Sequence, residues 1–244
     1  MDNIICMKWG NKYGPQYVNI LAAMVRRHLN RPYRMICFTD DPNGLNSEIE
    51  VFPLPQLDIP AHLPERGWRK LTIFGEDIVR QTGMEGTALF LDLDIVILDT
   101  LDPFFELPGD FQIIKDWDFP TDVIGNSSVF RFEVGKYPDI LEYFINNRDE
   151  IRKQHRNEQA YLSHAIHRKG LLEYWPQTWC RSFKRSCISK FPKCHFTVPQ
   201  KPDGAKIVIF HGNPNPDSAI KGWIGKWGFR AVKPTPWVAE NWHE

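Results

Sequence analysis

The order of apolar segments predicts an α/β sandwich with a mostly parallel central sheet. Three observations carry that expectation: short apolar runs rich in β-formers, amphipathic stretches of helical period between them, and their succession as β-α-β-β-α-β up to Leu91. Residues 4–7 are the first strand, and residues 16–28 follow with Val18, Ile20, Leu21, Met24 and Val25 at helical spacing. Residues 34–38 are a strand ended by Thr39, Asp40 and Asp41 and by the turn cluster Pro42, Asn43, Gly44. Residues 49–52 predict a short strand before a Pro-rich loop. Residues 68–80 read as one helix, with Leu71, Phe74 and Ile78 on one side and Gly83 at its stop. Gly75 inside that helix costs about 1 kcal/mol relative to Ala. Residues 88–91 are a buried strand. Beyond it, residues 111–114 and 128–132 predict strands, 139–153 and 158–167 helices, and 206–210 a last buried strand.

Composition narrows the function. Thirty Lys and Arg balance thirty Asp and Glu, which argues against a nucleic-acid partner, because such proteins carry a basic surplus. Hydrophobic residues at 42% and charged residues at 25% exclude a disordered chain. No run approaches the length of a membrane span, and residues 1–8 lack the basic start and long apolar run of a secretory leader. Five cysteines are an odd number. Cys180, Cys187 and Cys194 lie seven apart, outside the close pairing of structural zinc sites, and the set fits a reducing cytoplasm. Aromatic residues reach 13%, with 9 Trp, and Trp suits stacking on bases and sugar faces. Residues 1–223 are expected to form one domain, and residues 224–244 a Trp-rich tail suited to contact with an acceptor or a membrane surface.

The most informative segment is Ala88-Leu89-Phe90-Leu91-Asp92-Leu93-Asp94, followed by Ile95-Val96-Ile97-Leu98. Two carboxylates stand two residues apart at the end of an apolar strand. In an extended chain residues i and i+2 share a side, so Asp92 and Asp94 can converge on one cation. Open α/β sheets bind ligands at the carboxyl ends of their strands, and a buried carboxylate needs a metal or a cationic partner. A turn cap with one solvated Asp is the bland reading, which the flanking apolar residues disfavour. Two enzyme classes place such a pair there: haloacid-dehalogenase-like phosphatases, with Asp92 as nucleophile, and metal-dependent sugar transferases. Against the first, Ile95 stands where the phosphatase pattern has Gly, and no downstream Lys and acidic motif is evident.

Further motifs surround the pair in order. Before it come Ile4 to Tyr13, Phe38-Thr39-Asp40-Asp41 and Trp68-Arg69-Lys70-Leu71. After it come Asn126-Ser127-Ser128-Val129-Phe130, Asn157-Glu158-Gln159-Ala160, and His211-Gly212 with Lys221-Gly222-Trp223. Together they resemble a GT-A-fold glycosyltransferase, most similar to glycosyltransferase family 8, the galactosyltransferase and glycogenin type. The resemblance implies a nucleotide-binding half over residues 1–98 and a donor-sugar and acceptor half over residues 99–223.

By that resemblance, Lys8, Trp9 and Tyr13 lie in the loop that holds the nucleotide, and Asp40 lies near the nucleoside. Arg69 or Lys70 meets the sugar nucleotide; the spacing does not decide between them. Asp92 and Asp94, with Leu93 between, bind a divalent cation on the donor diphosphate, with His211 as third ligand beside Gly212 and Lys221 as a phosphate contact. Asn126 meets sugar hydroxyls, and Glu158 and Gln159 fill a segment whose third carboxylate is Ala160 here. Gln159 can also face the oxocarbenium-like sugar, and Asp116 and Asp118 the donor hydroxyls, with Trp117, Trp175 and Trp179 as stacking candidates. A shell of carboxylate and phosphate oxygens suits Mn²⁺, with Mg²⁺ as the other choice. The expected activity is transfer of a hexose from a nucleotide-diphosphate sugar, UDP in the family's usual case, to a glycan, lipid or small glycoside with retention. A protein that binds sugar nucleotides without turnover is the non-enzymatic alternative.

Overall fold

The computed structural model describes residues 1–57 and 67–244. The chain opens with β1 (Asp2–Lys8), α1 (Pro15–His28), β2 (Tyr33–Thr39) and β3 (Glu50–Pro53). A 3-10 helix (Trp68–Phe74) and α2 (Glu76–Thr82) lead to β4 (Thr87–Leu91) and β5 (Ile95–Ile97). Then come α3 (Asp102–Glu106), β6 (Phe111–Lys115), β7 (Gly125–Glu133), α4 (Pro138–Gln154) and α5 (Glu158–Arg168). The rest is β8 (Leu172–Tyr174), β9 (Cys180–Ser182), a π-helical turn (Phe183–Cys187), a 3-10 turn (Lys193–His195), β10 (Ile207–Ile209), α6 (Pro216–Lys221), β11 (Trp223–Ile224), β12 (Ala231–Val232) and α7 (Pro236–Asn241).

Seven strands form the central sheet in the order β3-β2-β1-β4-β7-β6-β8. It is parallel throughout except at β7, which runs antiparallel to both β4 and β6. This is the mostly parallel sandwich that the sequence predicts. Both faces are covered, which is why its strands read as continuous apolar runs. Ile4 and Cys6 of β1, with Leu89 and Leu91 of β4, point to the layer of α1 and a second small sheet. Ile5 and Met7, with Ala88 and Phe90, point to the layer of the 3-10 helix, α2, α4 and α5. That second sheet has the order β5-β10-β9. The apolar run from Ala88 to Leu98 is therefore two strands in two sheets, and Asp92 to Asp94 is the passage between them. The last buried strand predicted at 206–210 belongs to the small sheet.

The helix expected over 68–80 is broken. Gly75 sits at φ −69 and ψ 144 between the 3-10 helix and α2. A Cβ on this extended backbone would lie 2.9 Å from Leu141 Cδ2, at the end of an α4 side chain. Trp68 stacks on Phe144 of α4, ring centroids 4.9 Å apart. α2 stops where expected, at Gly83, whose φ of 60 is the left-handed conformation glycine supplies.

The C-terminal residues divide into two sets. Trp242 packs on Tyr17, ring centroids 5.0 Å apart, and Val238 is fully buried. Trp237 Nε1 donates to the Pro199 carbonyl at 3.0 Å, and Arg27 donates to the carbonyls of Asn241 and His243. The β11–β12 hairpin instead leaves Ile224, Trp227 and Phe229 exposed. Among the described residues, no helix is long and apolar enough to cross a membrane.

Candidate active site

The carboxyl ends of β1, β2 and β4 open on the same edge of the sheet, the place where open α/β sheets bind ligands. A cavity of about 410 Å³ lies at that edge. Lys8 and Trp9 line it from the end of β1, Lys12 and Tyr13 from the following loop, Gly67 and Lys70 from the 3-10 helix and its start, and Asp92, Leu93 and Asp94 from the passage between the sheets. Lys8 Nζ donates to the Asp41 carbonyl at 3.3 Å. Asp40 accepts from the Gly10 backbone at 2.9 Å, which ties the loop after β1 to the end of β2.

Asp92 and Asp94 line the same cavity, and each has a partner. The Lys70 ammonium lies 2.7 and 2.8 Å from the two Asp92 oxygens. The Tyr13 hydroxyl donates to Asp94 Oδ2 at 2.6 Å. Burial and the Asp92 charge push the Asp94 carboxyl up to about 6. Burial alone would lower the Lys70 ammonium, but Asp92 and Glu158 outweigh it and hold it above its ordinary value. The choice between Arg69 and Lys70 thus falls on Lys70 by position; Arg69 turns away and donates to the Pro55 carbonyl at 2.6 Å.

Lys70 also reaches the Ser127 carbonyl at 3.2 Å and its hydroxyl at 3.3 Å. Ser127 in turn donates to Glu158 at 2.9 Å. A buried polar chain therefore runs from α5 through β7 to the acidic pair. Gly67 leaves the space that Glu158 needs: a Cβ there would stand 2.4 Å from its carboxyl. Beside it, Gln159 Nε2 donates to Asp116 Oδ2 at 3.0 Å, and Arg156 lies 3.5 Å from the same carboxylate. Asn126 uses its carbonyl oxygen to accept from the Ser128 backbone at 3.1 Å. A second cavity of about 470 Å³ adjoins Asp116, Trp117, Asp118, Trp175, Arg181 and Arg185. Trp175 is buried and donates to the Val129 carbonyl, and Trp179 tilts against Phe104, so both have packing roles.

His211 is not gathered with the acidic pair. Its Nε2 lies 2.7 Å from Ser182 Oγ, its ring stacks on Trp117 at 5.5 Å, and burial and Lys184 push it down to about 4. Among the described residues, no three His, Cys, Asp or Glu side chains are grouped so as to hold a metal ion. Lys221 is exposed at the end of α6. The cation at the His211–Gly212 turn is Lys184, which donates to the His211 carbonyl. Gly212, at φ 76, leaves room for that ammonium: a Cβ there would lie 3.0 Å from it.

Sequence reasoning missed Ser127, Lys12 and Lys184. Lys12 lies over the Tyr13 ring at 4.5 Å and its charge favours ionised Asp94. Its nearness to the motif loop was the available signal. Lys184 had none, since the turn that carries it lies 27 residues from its partner.

No protein-family model matches the chain, and no curated protein does. Solved structures do. A galactosyltransferase, LgtC, in complex with donor and acceptor sugar analogues superposes with a TM-score of 0.57 at 13% identity over 88% of each chain. The glycosyltransferase GlyE in Streptococcus pneumoniae TIGR4 superposes with a TM-score of 0.61 at 13% identity, over 88% of this chain and 56% of that one. At such identity the likeness is one of fold, and the fold of this chain is that of the GT-A glycosyltransferases.

Proposed function

We propose that the protein is a hexosyltransferase that uses a nucleotide-diphosphate sugar, with uridine as the base, and transfers with retention to a glycan, lipid or small glycoside. The observation that carries this reading is the acidic pair at the strand ends, in a cavity that also holds Lys8, Lys12 and Lys70. The fold supports it. The first half, residues 1–98, would hold the nucleotide and residues 99–223 the two sugars, on the cytoplasmic side of the cell.

Asp92 and Asp94 fit a divalent cation. They are hard oxygen donors suited to Mn²⁺ or Mg²⁺, and the raised Asp94 carboxyl marks a pair of like charges that such an ion would relieve. When bound, the ion would supply Lewis-acid stabilisation of the departing diphosphate. His211, turned to Ser182, does not support a third ligand. Lys70 holds Asp92 in place and would exchange part of that contact for phosphate. Lys12 would add positive charge where the leaving group forms, and such preorganised charge is worth a few kcal/mol of barrier, on the order of 3. Gln159, held by Asp116, and Glu158, held by Ser127, are set to orient donor hydroxyls. Nothing supports the phosphatase reading, in which Asp92 would need a free oxygen for attack; Lys70 engages both.

A thermal-shift screen of nucleotide sugars tests the donor. A UDP-hexose should raise the midpoint in the presence of Mn²⁺ and less in EDTA, because a ligand of the folded state stabilises it. Asp92→Asn should lower donor hydrolysis at least about 100-fold. Near-normal hydrolysis by that variant in excess EDTA would remove the metal, and no hydrolysis of any donor by the native chain would favour the non-catalytic alternative.

A further inference from the structure

Two stretches that the fold brings together contain no carboxylate. Residues 176–202 hold six Lys or Arg and residues 218–239 hold four, with no Asp or Glu in either. The remainder of this neutral chain therefore carries twenty Lys and Arg against thirty Asp and Glu. The stretches meet where the β11–β12 hairpin packs on the 3-10 turn at Lys193–His195. His195 Nε2 lies 2.7 Å from the Gly228 carbonyl, and the Phe191 ring stands edge-on to Phe229 at 5.6 Å.

The same two segments carry exposed apolar side chains. Phe191, Phe196, Ile224, Trp227 and Phe229 are 57, 81, 69, 78 and 70% exposed. A soluble chain rarely leaves large apolar groups clustered in water without a use for them. Lys226 lies beside Trp227, its ammonium 5.5 Å from the ring centroid, and Lys190, Lys193 and Arg230 sit in the same two segments.

We propose that this face, the β11–β12 hairpin with the 188–198 loop, docks on an anionic lipid bilayer. Trp and Phe seat at the boundary between headgroups and acyl chains, while lysines draw the face to anionic headgroups. Apolar insertion and basic charge act as two signals, each weak alone. Ile224 and Val198 favour a bilayer over a nucleic acid, because an aliphatic side chain has no face to stack on a base. The negative remainder of the chain turns this end toward the membrane by its field. The surface lies outside the candidate cavity, so it stands apart from the proposed transfer reaction.

Co-sedimentation of the whole chain with vesicles tests it. Binding to phosphatidylcholine mixed equally with phosphatidylglycerol should exceed binding to phosphatidylcholine alone by about tenfold or more and weaken with salt. The joint variant Phe196→Ser, Trp227→Ser, Phe229→Ser should lose that binding while keeping its thermal midpoint. The joint variant Lys190→Glu, Lys193→Glu, Lys226→Glu should lose the preference for anionic vesicles. Equal binding to both vesicles, or unchanged binding by the aromatic variant, would overturn the proposal. So would tighter binding to a single-stranded oligonucleotide than to the mixed vesicles.

Discussion

At Asp94, burial and the Asp92 charge hold the carboxyl near 6, against an ordinary value of 3.8. The sign follows from linkage. Well below the ordinary value of 3.8 the folded and unfolded chains both keep the proton and the site costs nothing; between 3.8 and about 6 the unfolded chain has released a proton that the folded chain still holds, so stability falls as pH rises through that window and levels off above it. In EDTA at pH 8, Asp94→Asn should therefore stabilise the protein by on the order of 1–3 kcal/mol, with the gain fading toward pH 4. Urea unfolding at the two values checks it. The same variant should lose donor turnover, the usual trade between stability and function at a charged site. Part of this was readable beforehand. Asp92 and Asp94 line one cavity although β4 ends at Leu91 and β5 begins at Ile95, so the bend between the sheets, and not the alternation of a strand, sets their directions. Lys70 and Arg69 are adjacent and differ only in direction, which the Pro55 and Asp92 contacts decide. The contact of His211 with Ser182 joins residues 29 apart in the chain, and no local pattern encodes it.

Between residue and molecule, the break at Gly75 has a measurable consequence. In one continuous helix Gly75→Ala would gain up to about 1 kcal/mol. In this structure the residue is extended and the new methyl group meets the Leu141 Cδ2 methyl at 2.9 Å, which must turn aside, so the variant should show no such gain. Chemical denaturation checks this. Most strands of the main sheet, and β10 of the small one, were visible as apolar runs. β5 was hidden in the apolar run that continues past the acidic pair, and β8 and β9, reading Leu-Glu-Tyr and Cys-Arg-Ser, show no apolar run at all. The 3-10 helix read as α-helix because Leu71, Phe74 and Ile78 satisfy either spacing over so short a stretch. The core was therefore legible where elements are long and lost where tertiary contact alone defines them.

On the scale of the whole chain, the Trp surplus divides by environment. Trp242→Ala should cost about 3–5 kcal/mol, the range for removing a buried aromatic, because Trp242 closes the packing over Tyr17. Trp227→Ala should stay within about 0.5 kcal/mol of the native chain, as exposed substitutions do. Paired unfolding curves distinguish the two. Reading residues 224–244 as a tail followed from their composition; that α7 and Trp242 fold back onto α1 depends on contacts more than two hundred residues apart. The zero net charge concealed an uneven distribution for the same reason, since a sum carries no positions.

The passage from β4 to β5 is clamped at both ends. The Asp92 N–H donates to the Ser128 carbonyl at 2.9 Å, and the Asp94 carbonyl accepts from Phe210 N–H at 2.9 Å. One bond reaches the large sheet and the other the segment that leaves the small one. The backbone between the carboxylates is thus immobilised when the chain folds, before any ligand arrives. Only side-chain torsions are left to adjust, so the entropic penalty of assembling the acidic pair is charged to folding, and the seam joining two cores doubles as a rigid mount for the chemistry.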